Sequence, residues 1–295
     1  MPVVVVGNIT VGGAGKTPLV IHLAQALRHG GRHPGIVSRG YAGNADEIVA
    51  VTEDSDPAQV GDEPILLARR AGCPVFVGRN RAAAARVMLA AHPDINLILA
   101  DDGLQHYRLA RDCEIAVFDR RGVMNGWQLP AGPLREPVSR LASIDAIVLN
   151  ETGVLRPRPA GSTLGVPTFG HPAFLMHLTG DQFQRLDDPT ITCTAAELAG
   201  KRLHAVAGIG DPVRFFEHIA ALSLIFSEHA FADHHAYRPD ELKFDGDAIL
   251  TTEKDAVKLR QLALSLPVWV LPVTATTHPD LAAFVLEKIN GRPLA

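Results

Sequence analysis

The chain has 295 residues, 47% of them hydrophobic and 20% charged, a balance that supports one large or two modest domains with a buried core. A formal net charge of −4 argues against the basic surplus that nucleic-acid binding needs. No apolar run approaches the roughly 18–20 residues that span a bilayer, no basic segment precedes the first strand as in a signal peptide, and Cys73, Cys113 and Cys193 lie too far apart for a metal or CxxC motif, which fits reduced thiols in a cytosolic compartment.

Residues 3–6 (Val3-Val4-Val5-Val6) form a β-branched run ending at Gly7, the pattern of a strand buried on both faces. A buried strand seldom begins at a free N-terminus, which leaves room for a missing upstream segment. A glycine-rich loop follows, and apolar residues at Leu19, Val20, Leu23, Ala24 and Leu27 predict a helix over 18–28, stopped by Gly30-Gly31. Further strands are predicted at 35–38, 74–77, 95–100, 114–118 and 146–149, with an alanine-rich helix at 79–91. Such alternation implies a mostly parallel sheet with helices on both faces. Residues 152–172 carry four prolines and several glycines and read as a linker or seam. Beyond it, strands are predicted at 203–207, 248–250 and 268–271, and helices at 212–222 and 279–289. The expected organisation is a nucleotide-binding domain over 1–152, a linker over 153–175 and a smaller α/β domain over 176–295, its last helix packing back on the first domain.

Thr10-Val11-Gly12-Gly13-Ala14-Gly15-Lys16-Thr17 lies between a strand and a helix, the setting a Walker A phosphate loop requires. Its glycines allow backbone N–H groups to turn inward on phosphate, and the helix N-terminus adds a favourable dipole. Lys16 is expected to reach the β- and γ-phosphates and the Thr17 hydroxyl to ligate Mg²⁺. The first position is Thr10, where the usual pattern has glycine. The alternative is a tight strand–helix turn with an incidental Gly-Lys-Thr.

Asp101-Asp102 directly follows the apolar run 95–100, where a metal-holding acid belongs; capping of the next turn is the competing reading. Gly61-Asp62-Glu63-Pro64 opens an apolar helical stretch, and spacing alone favours helix-start caps there. In Leu134-Arg135-Glu136-Pro137 an arginine beside a carboxylate suits either phosphate neutralisation with a metal shell or a surface pair. Of thirteen histidines, the densest cluster is Asp233-His234-His235, with His229 nearby. No third ligand stands at metal spacing, so an acid-polarised histidine acting as proton acceptor or orienter is the better functional reading.

Together these segments resemble the tetraacyldisaccharide 4′-kinase (lipid A 4′-kinase) family. The matching elements run in family order: Val6 to Pro18 across the phosphate loop, Ser38-Arg39-Gly40-Tyr41, Gly61-Asp62-Glu63-Pro64, Asp101-Asp102-Gly103-Leu104-Gln105-His106, Pro130-Ala131-Gly132-Pro133-Leu134-Arg135-Glu136, Phe231-Ala232-Asp233-His234-His235 and Thr252-Glu253-Lys254-Asp255. The family tolerates a non-glycine at Thr10. The resemblance implies transfer of the ATP γ-phosphate to the 4′-hydroxyl of a tetraacylated disaccharide 1-phosphate, giving lipid IVA in the lipid A branch of lipopolysaccharide biosynthesis. It assigns Lys16 and Thr17 to ATP and Mg²⁺, Asp101, Asp102 and Glu136 to the metal environment, and Gln105 and Arg135 to the phosphates. Asp62 becomes the catalytic base, supported by His234. It also implies a monomer working at the cytoplasmic face of the inner membrane. The hydrophobic helix that usually precedes the phosphate-loop strand and anchors family members is absent here, which implies peripheral attachment or a misplaced start. Arg28, Arg32 and Arg39, with His29 and His33, form either a contact for anionic headgroups or a solvated loop. Rival readings are a P-loop regulatory NTPase, although Thr252-Glu253-Lys254-Asp255 resembles a guanine-reading Asn-Lys-x-Asp pattern only superficially, with Lys directly before Asp and no asparagine ahead of it, and a nucleotide-binding scaffold without chemistry.

Overall fold

A computed structural model describes residues 1–40, 47–151 and 165–291. Tyr41 of the Ser38–Tyr41 motif and residues 152–164 of the expected linker lie outside the described residues. In chain order the elements are β1 (Val3–Gly7), α1 (Lys16–His29), β2 (Pro34–Ser38), β3 (Val49–Val51), α2 (Pro57–Val60), α3 (Asp62–Arg70), β4 (Val75–Val77), α4 (Arg81–Ala91), β5 (Leu97–Asp101), β6 (Cys113–Phe118), β7 (Ala146–Asn150) and β8 (Ala173–Thr179). There follow β9 (Gln182–Arg185), β10 (Thr192–Thr194), α5 (Ala195–Leu198), β11 (Leu203–Ala207), α6 (Pro212–Ala221), β12 (Phe226–Ala230), β13 (Ala248–Thr252), α7 (Glu253–Leu259), β14 (Val268–Leu271), β15 (Thr274–His278) and α8 (Leu281–Ile289). The chain divides into two compact units, residues 1–178 with 275–295, and residues 179–274.

The first unit is built on a nine-stranded sheet in the order β15-β8-β7-β6-β1-β5-β2-β4-β3. β1 pairs in parallel with β5 and β6, and parallel pairing continues from β5 to β2 and β4 and from β6 to β7 and β8. β3 is antiparallel to β4. The valines of β1 show why the run is continuous. Val3 and Val5 join a core cluster with Ala84 and Met88 of α4, while Val4 and Val6 alternate to the opposite face and are fully buried. α1 packs against β1, β2 and β5 and is itself flanked by α3 and α8. The chain leaves β1 for β2 on one side and later returns to β6 on the other. The carboxyl end of β1 is therefore a topological switch point, the place where open α/β sheets bind ligands. α8, though last in sequence, belongs to this unit, and its Phe284 ring lies 5.3 Å from that of Phe174.

The second unit carries a six-stranded sheet in the order β10-β9-β14-β13-β11-β12. β12, β11, β13 and β14 are parallel; β9 is antiparallel to β14, and β10 is antiparallel to β9. One face buries Phe183, Phe215, Phe216 and Ile219, the other Tyr237, Leu242, Ile249 and Leu259. Both units are thus α/β layers around mostly parallel sheets.

Candidate active site

The phosphate loop is stitched together by asparagines outside the glycine motif. Asn8, fully buried at the end of β1, donates from Nδ2 to Thr10 Oγ1 at 3.1 Å and to the Gly12 carbonyl at 3.4 Å, and its Oδ1 accepts from Lys16 Nζ at 3.2 Å. Asn150, at the end of β7, donates to the Ala14 carbonyl at 3.1 Å. A Cβ on Gly15, which has φ +94°, would lie 2.5 Å from the Asn150 amide nitrogen, so that position requires glycine on two counts. The presence of threonine at position 10 also has a local explanation. Its hydroxyl serves Asn8, and its backbone forms a β-bridge with Leu134. Flanking bonds from Val11 N–H to the Pro133 carbonyl (2.9 Å) and from Arg135 N–H to the Ile9 carbonyl (2.6 Å) extend that bridge. The bridge is what carries Arg135 and Glu136 to the phosphate loop.

Asp101 closes β5 in register with Val6 of β1, one strand-width from the loop. It is 1% exposed, Ser38 Oγ donates to its Oδ2 at 3.1 Å, and its Oδ1 is buried without a hydrogen-bond partner. Burial first, and then the charges of Glu63 and Asp102, push its pKa up to about 7, with Lys16 and the Ser38 bond opposing. Its neighbour has the opposite surroundings. Asp102 adopts φ +46°, accepts from Arg135 Nη1 on both oxygens (3.1 and 2.9 Å) and lies 3.5 Å from Lys16 Nζ, while buried Arg81 donates to its carbonyl at 2.8 Å. Burial works against its charge, but the Lys16 and Arg135 cations outweigh burial and hold the carboxyl below its ordinary range. Adjacent acids thus take different parts: Asp102 organises the cations, and Asp101 is an under-compensated carboxylate with one oxygen unused.

That unused oxygen suits Mg²⁺. Among the described residues no three His, Cys, Asp or Glu side chains converge as a protein-only metal cage. Mg²⁺ does not need one, because it keeps several waters and binds through one or two carboxylates plus substrate phosphates. The Asp101 carboxylate and the hydroxyl of Thr17, the second residue of α1, are ligands of the kind Mg²⁺ takes. Glu136 is held by other groups: Gln105 Nε2 donates to it at 2.6 Å, the Tyr107 hydroxyl donates to its other oxygen, and Arg140 Nε stands 3.7 Å away. Gln105 also donates to the Asn8 carbonyl at 3.1 Å and accepts from Arg135 at 3.3 Å, which links the Glu136 group to the loop.

Asp62 is the first residue of α3, after Gly61 at φ +87°, and is 4% exposed. Its Oδ1 accepts from the Glu63 N–H at 2.8 Å. The charge of the next residue, Glu63, contributes to the raised pKa of Asp101. In the second unit the two histidines differ. His235 Nε2 donates to Glu241 Oε2 at 3.1 Å, and the ring packs against Phe231 and Tyr237. His234 takes φ +60° and presents Nε2 3.4 Å from Lys254 Nζ and 3.7 Å from Asp233 Oδ1, while Lys254 bonds Asp233 at 2.9 Å. His229 lies apart, 3.0 Å from His204 and stacked on Phe244, and burial lowers its pKa.

The loop, the acid pair and the Arg135-Glu136 bridge therefore meet at one switch point of a parallel sheet. A sequence model of the LpxK family, tetraacyldisaccharide-1-P 4′-kinase, matches residues 1–290. The chain belongs to this family. Among curated relatives, the tetraacyldisaccharide 4′-kinase of Dechloromonas aromatica is 52% identical over all of this chain and 86% of its own length. That of Chromobacterium violaceum is 49% identical over 99% of this chain and 85% of its own. A solved structure of LpxK from Aquifex aeolicus, described as an "apo" form in complex with ATP, superposes with a TM-score of 0.78 at 28% identity, covering 99% of this chain and 88% of that one. The architecture is that of a P-loop kinase. Sequence reasoning missed Asn8, Asn150, Ser38 and Arg81. A buried asparagine at a strand end is the one signal that points to the first two, because a polar group there must find partners.

Proposed function

We propose that Asp62 accepts the proton of a sugar hydroxyl in an ATP-dependent phosphoryl transfer, and that the acceptor is the 4′-hydroxyl of a tetraacylated disaccharide 1-phosphate. Kinase chemistry on a lipid A precursor follows from membership of the family. The observation that carries the assignment of roles is the meeting of Lys16, Thr17, Asp101, Asp102 and Arg135 at the carboxyl end of β1. Phosphoryl transfer asks mainly for positioning and charge neutralisation, and these residues supply both. The acceptor oxygen forms a bond to Pγ, the bond from Pγ to the β–γ bridging oxygen breaks, ADP leaves with the charge, and the hydroxyl proton passes to Asp62. Lys16, held by Asn8 and Asp102, neutralises the β- and γ-phosphates, and Arg135 and Gln105 align beside them. Mg²⁺, held by Thr17 and Asp101 with Asp102 and Glu136 around them, would add positive charge at the phosphate oxygens. Helix α3 favours an ionised Asp62 at its N-terminus. His234, held within its own unit by Asp233 and Lys254, is the second residue assigned to the proton transfer.

No helix among the described residues is long and apolar enough to cross a membrane. We place the working monomer at the cytoplasmic face of the inner membrane because its acceptor carries acyl chains. Exposed Trp127, Leu129 and Met124, close in sequence to the Leu134 bridge, are better suited to that surface than the basic loop. Arg28 lies against Gly72, and Arg32 donates to Asn290, contacts within the same unit.

Incubation with ATP, Mg²⁺ and tetraacyldisaccharide 1-phosphate tests the reading. Mass spectrometry is expected to show a bisphosphorylated lipid. ATP hydrolysis with no phosphate on the lipid, or transfer from GTP in preference to ATP, would refute it.

A further inference from the structure

Asp119 and Arg121 follow β6, the strand beside β1, and neither entered the reading above. Asp119 is 4% exposed and takes the arginine side-on: Arg121 Nε lies 3.0 Å from both carboxylate oxygens and Nη2 lies 2.6 Å from Oδ2. A second bond, from the Arg121 N–H to Asp119 Oδ1 at 3.0 Å, fixes the turn itself. With one edge of the guanidinium so held, its Nη1–Nη2 end faces the phosphate loop. A Cβ placed on Gly12 would stand 3.2 Å from Nη1 and 3.3 Å from Nη2. Gly12 is also the residue whose carbonyl Asn8 ties to Lys16, the side chain expected at the β- and γ-phosphates. The planar cation thus sits beside Gly12, one asparagine away from the ammonium.

We propose that Arg121 is an arginine finger supplied in cis: positioned by Asp119, its terminal nitrogens donate to the γ-phosphoryl oxygens and stabilise the charge that spreads over them during transfer. The inference rests on the kinase reading. It also explains Gly12 beyond its φ of +95°, since a side chain there would displace the guanidinium.

Nucleotide binding tests this without the lipid. Calorimetry with ADP and with a non-hydrolysable β,γ-imido ATP analogue compares the parent chain with Arg121→Ala and Arg121→Lys. Arg121→Ala is expected to weaken the analogue roughly tenfold, the worth of a charge-assisted hydrogen bond, and to leave ADP unchanged. In turnover, kcat should fall about 10³-fold, as for a lost arginine finger. Arg121→Lys should recover little, because an ammonium lacks the fork. Equal weakening of both nucleotides, or of neither, overturns the proposal. If Arg121→Ala does not fold, Asp119→Asn, which keeps the cation and loosens its anchor, must still lower analogue affinity selectively. Failure of the lipid assay alone would refute the acceptor and leave this nucleotide readout standing.

Discussion

Each unit places a buried aspartate near the carboxyl end of a central parallel strand, and the two are treated in opposite ways. In the second unit Asp255, fully buried in the first turn of α7, has both oxygens occupied. Oδ2 accepts from the Gly208 N–H at 3.0 Å and Thr252 Oγ1 at 2.7 Å, and Oδ1 accepts from the Tyr237 hydroxyl at 3.0 Å with Lys258 Nζ at 3.2 Å. In the first unit Asp101 has one bond, one unused oxygen and acidic neighbours. A satisfied buried charge holds a scaffold together, whereas an under-compensated one is maintained against its own electrostatics for a ligand. Asp255 ties the ends of β11 and β13 to the segment that presents Asp233 and His234. Asp101 keeps one oxygen for the Mg²⁺ of the proposed reaction.

The contrast can be broken by exchanging the two acids for neutral residues. Asp255→Ala strands a buried N–H, a hydroxyl and an ammonium, so it should cost about 3–5 kcal/mol of stability in the second unit, read by denaturant unfolding. Asp101→Asn should do the reverse in the first unit, raising the unfolding free energy at pH 8 by on the order of 1–3 kcal/mol while abolishing turnover. A destabilised Asp101→Asn would mean that the acid is structural after all.

The same comparison makes a pH-dependent statement. The pKa of Asp101 rises from 3.8 toward about 7 on folding, so the folded chain holds this proton more tightly than the unfolded one. Its contribution is favourable at low pH and is lost as pH climbs between about 4 and 7. Added Mg²⁺ should therefore raise the melting temperature more at pH 8 than at pH 6, and Asp101→Asn should flatten the difference. The smallest effect is expected at the edge of the network. Tyr107→Phe removes one donor from Glu136 and should lower kcat/KM only about fivefold, near 1 kcal/mol, with stability unchanged.

How far each part was legible in the sequence follows the same physics. The valines of β1, the loop and Asp101-Asp102 announce themselves, because a strand buried on both faces must be continuously apolar and a phosphate loop needs its glycines. β12 (Phe226–Ala230) does not, since it is an edge strand with the half-exposed sequence Phe-Ser-Glu-His-Ala. β8 follows directly on the proline-rich stretch, and its alternating exposure hides it from a search for apolar runs. The short β9–β10 hairpin and β3 fall below the length at which periodicity registers. In the site, the residue types of the Walker A loop are readable, but the asparagines that brace it, the Thr10–Leu134 bridge and the buried Arg81 exist only once distant segments meet. Spacing favoured Asp62 as a cap, and its position at the start of α3 is compatible with that as well as with a base. Only chemistry separates the two.

The most direct test is single-turnover transfer by Asp62→Ala with ATP, Mg²⁺ and the lipid disaccharide 1-phosphate, alongside calorimetric binding of ATP to the same variant. A base predicts ATP affinity within about twofold of the parent and a transfer rate lower by roughly 10²–10⁴-fold. Transfer at the parent rate, with affinity intact, would contradict the account.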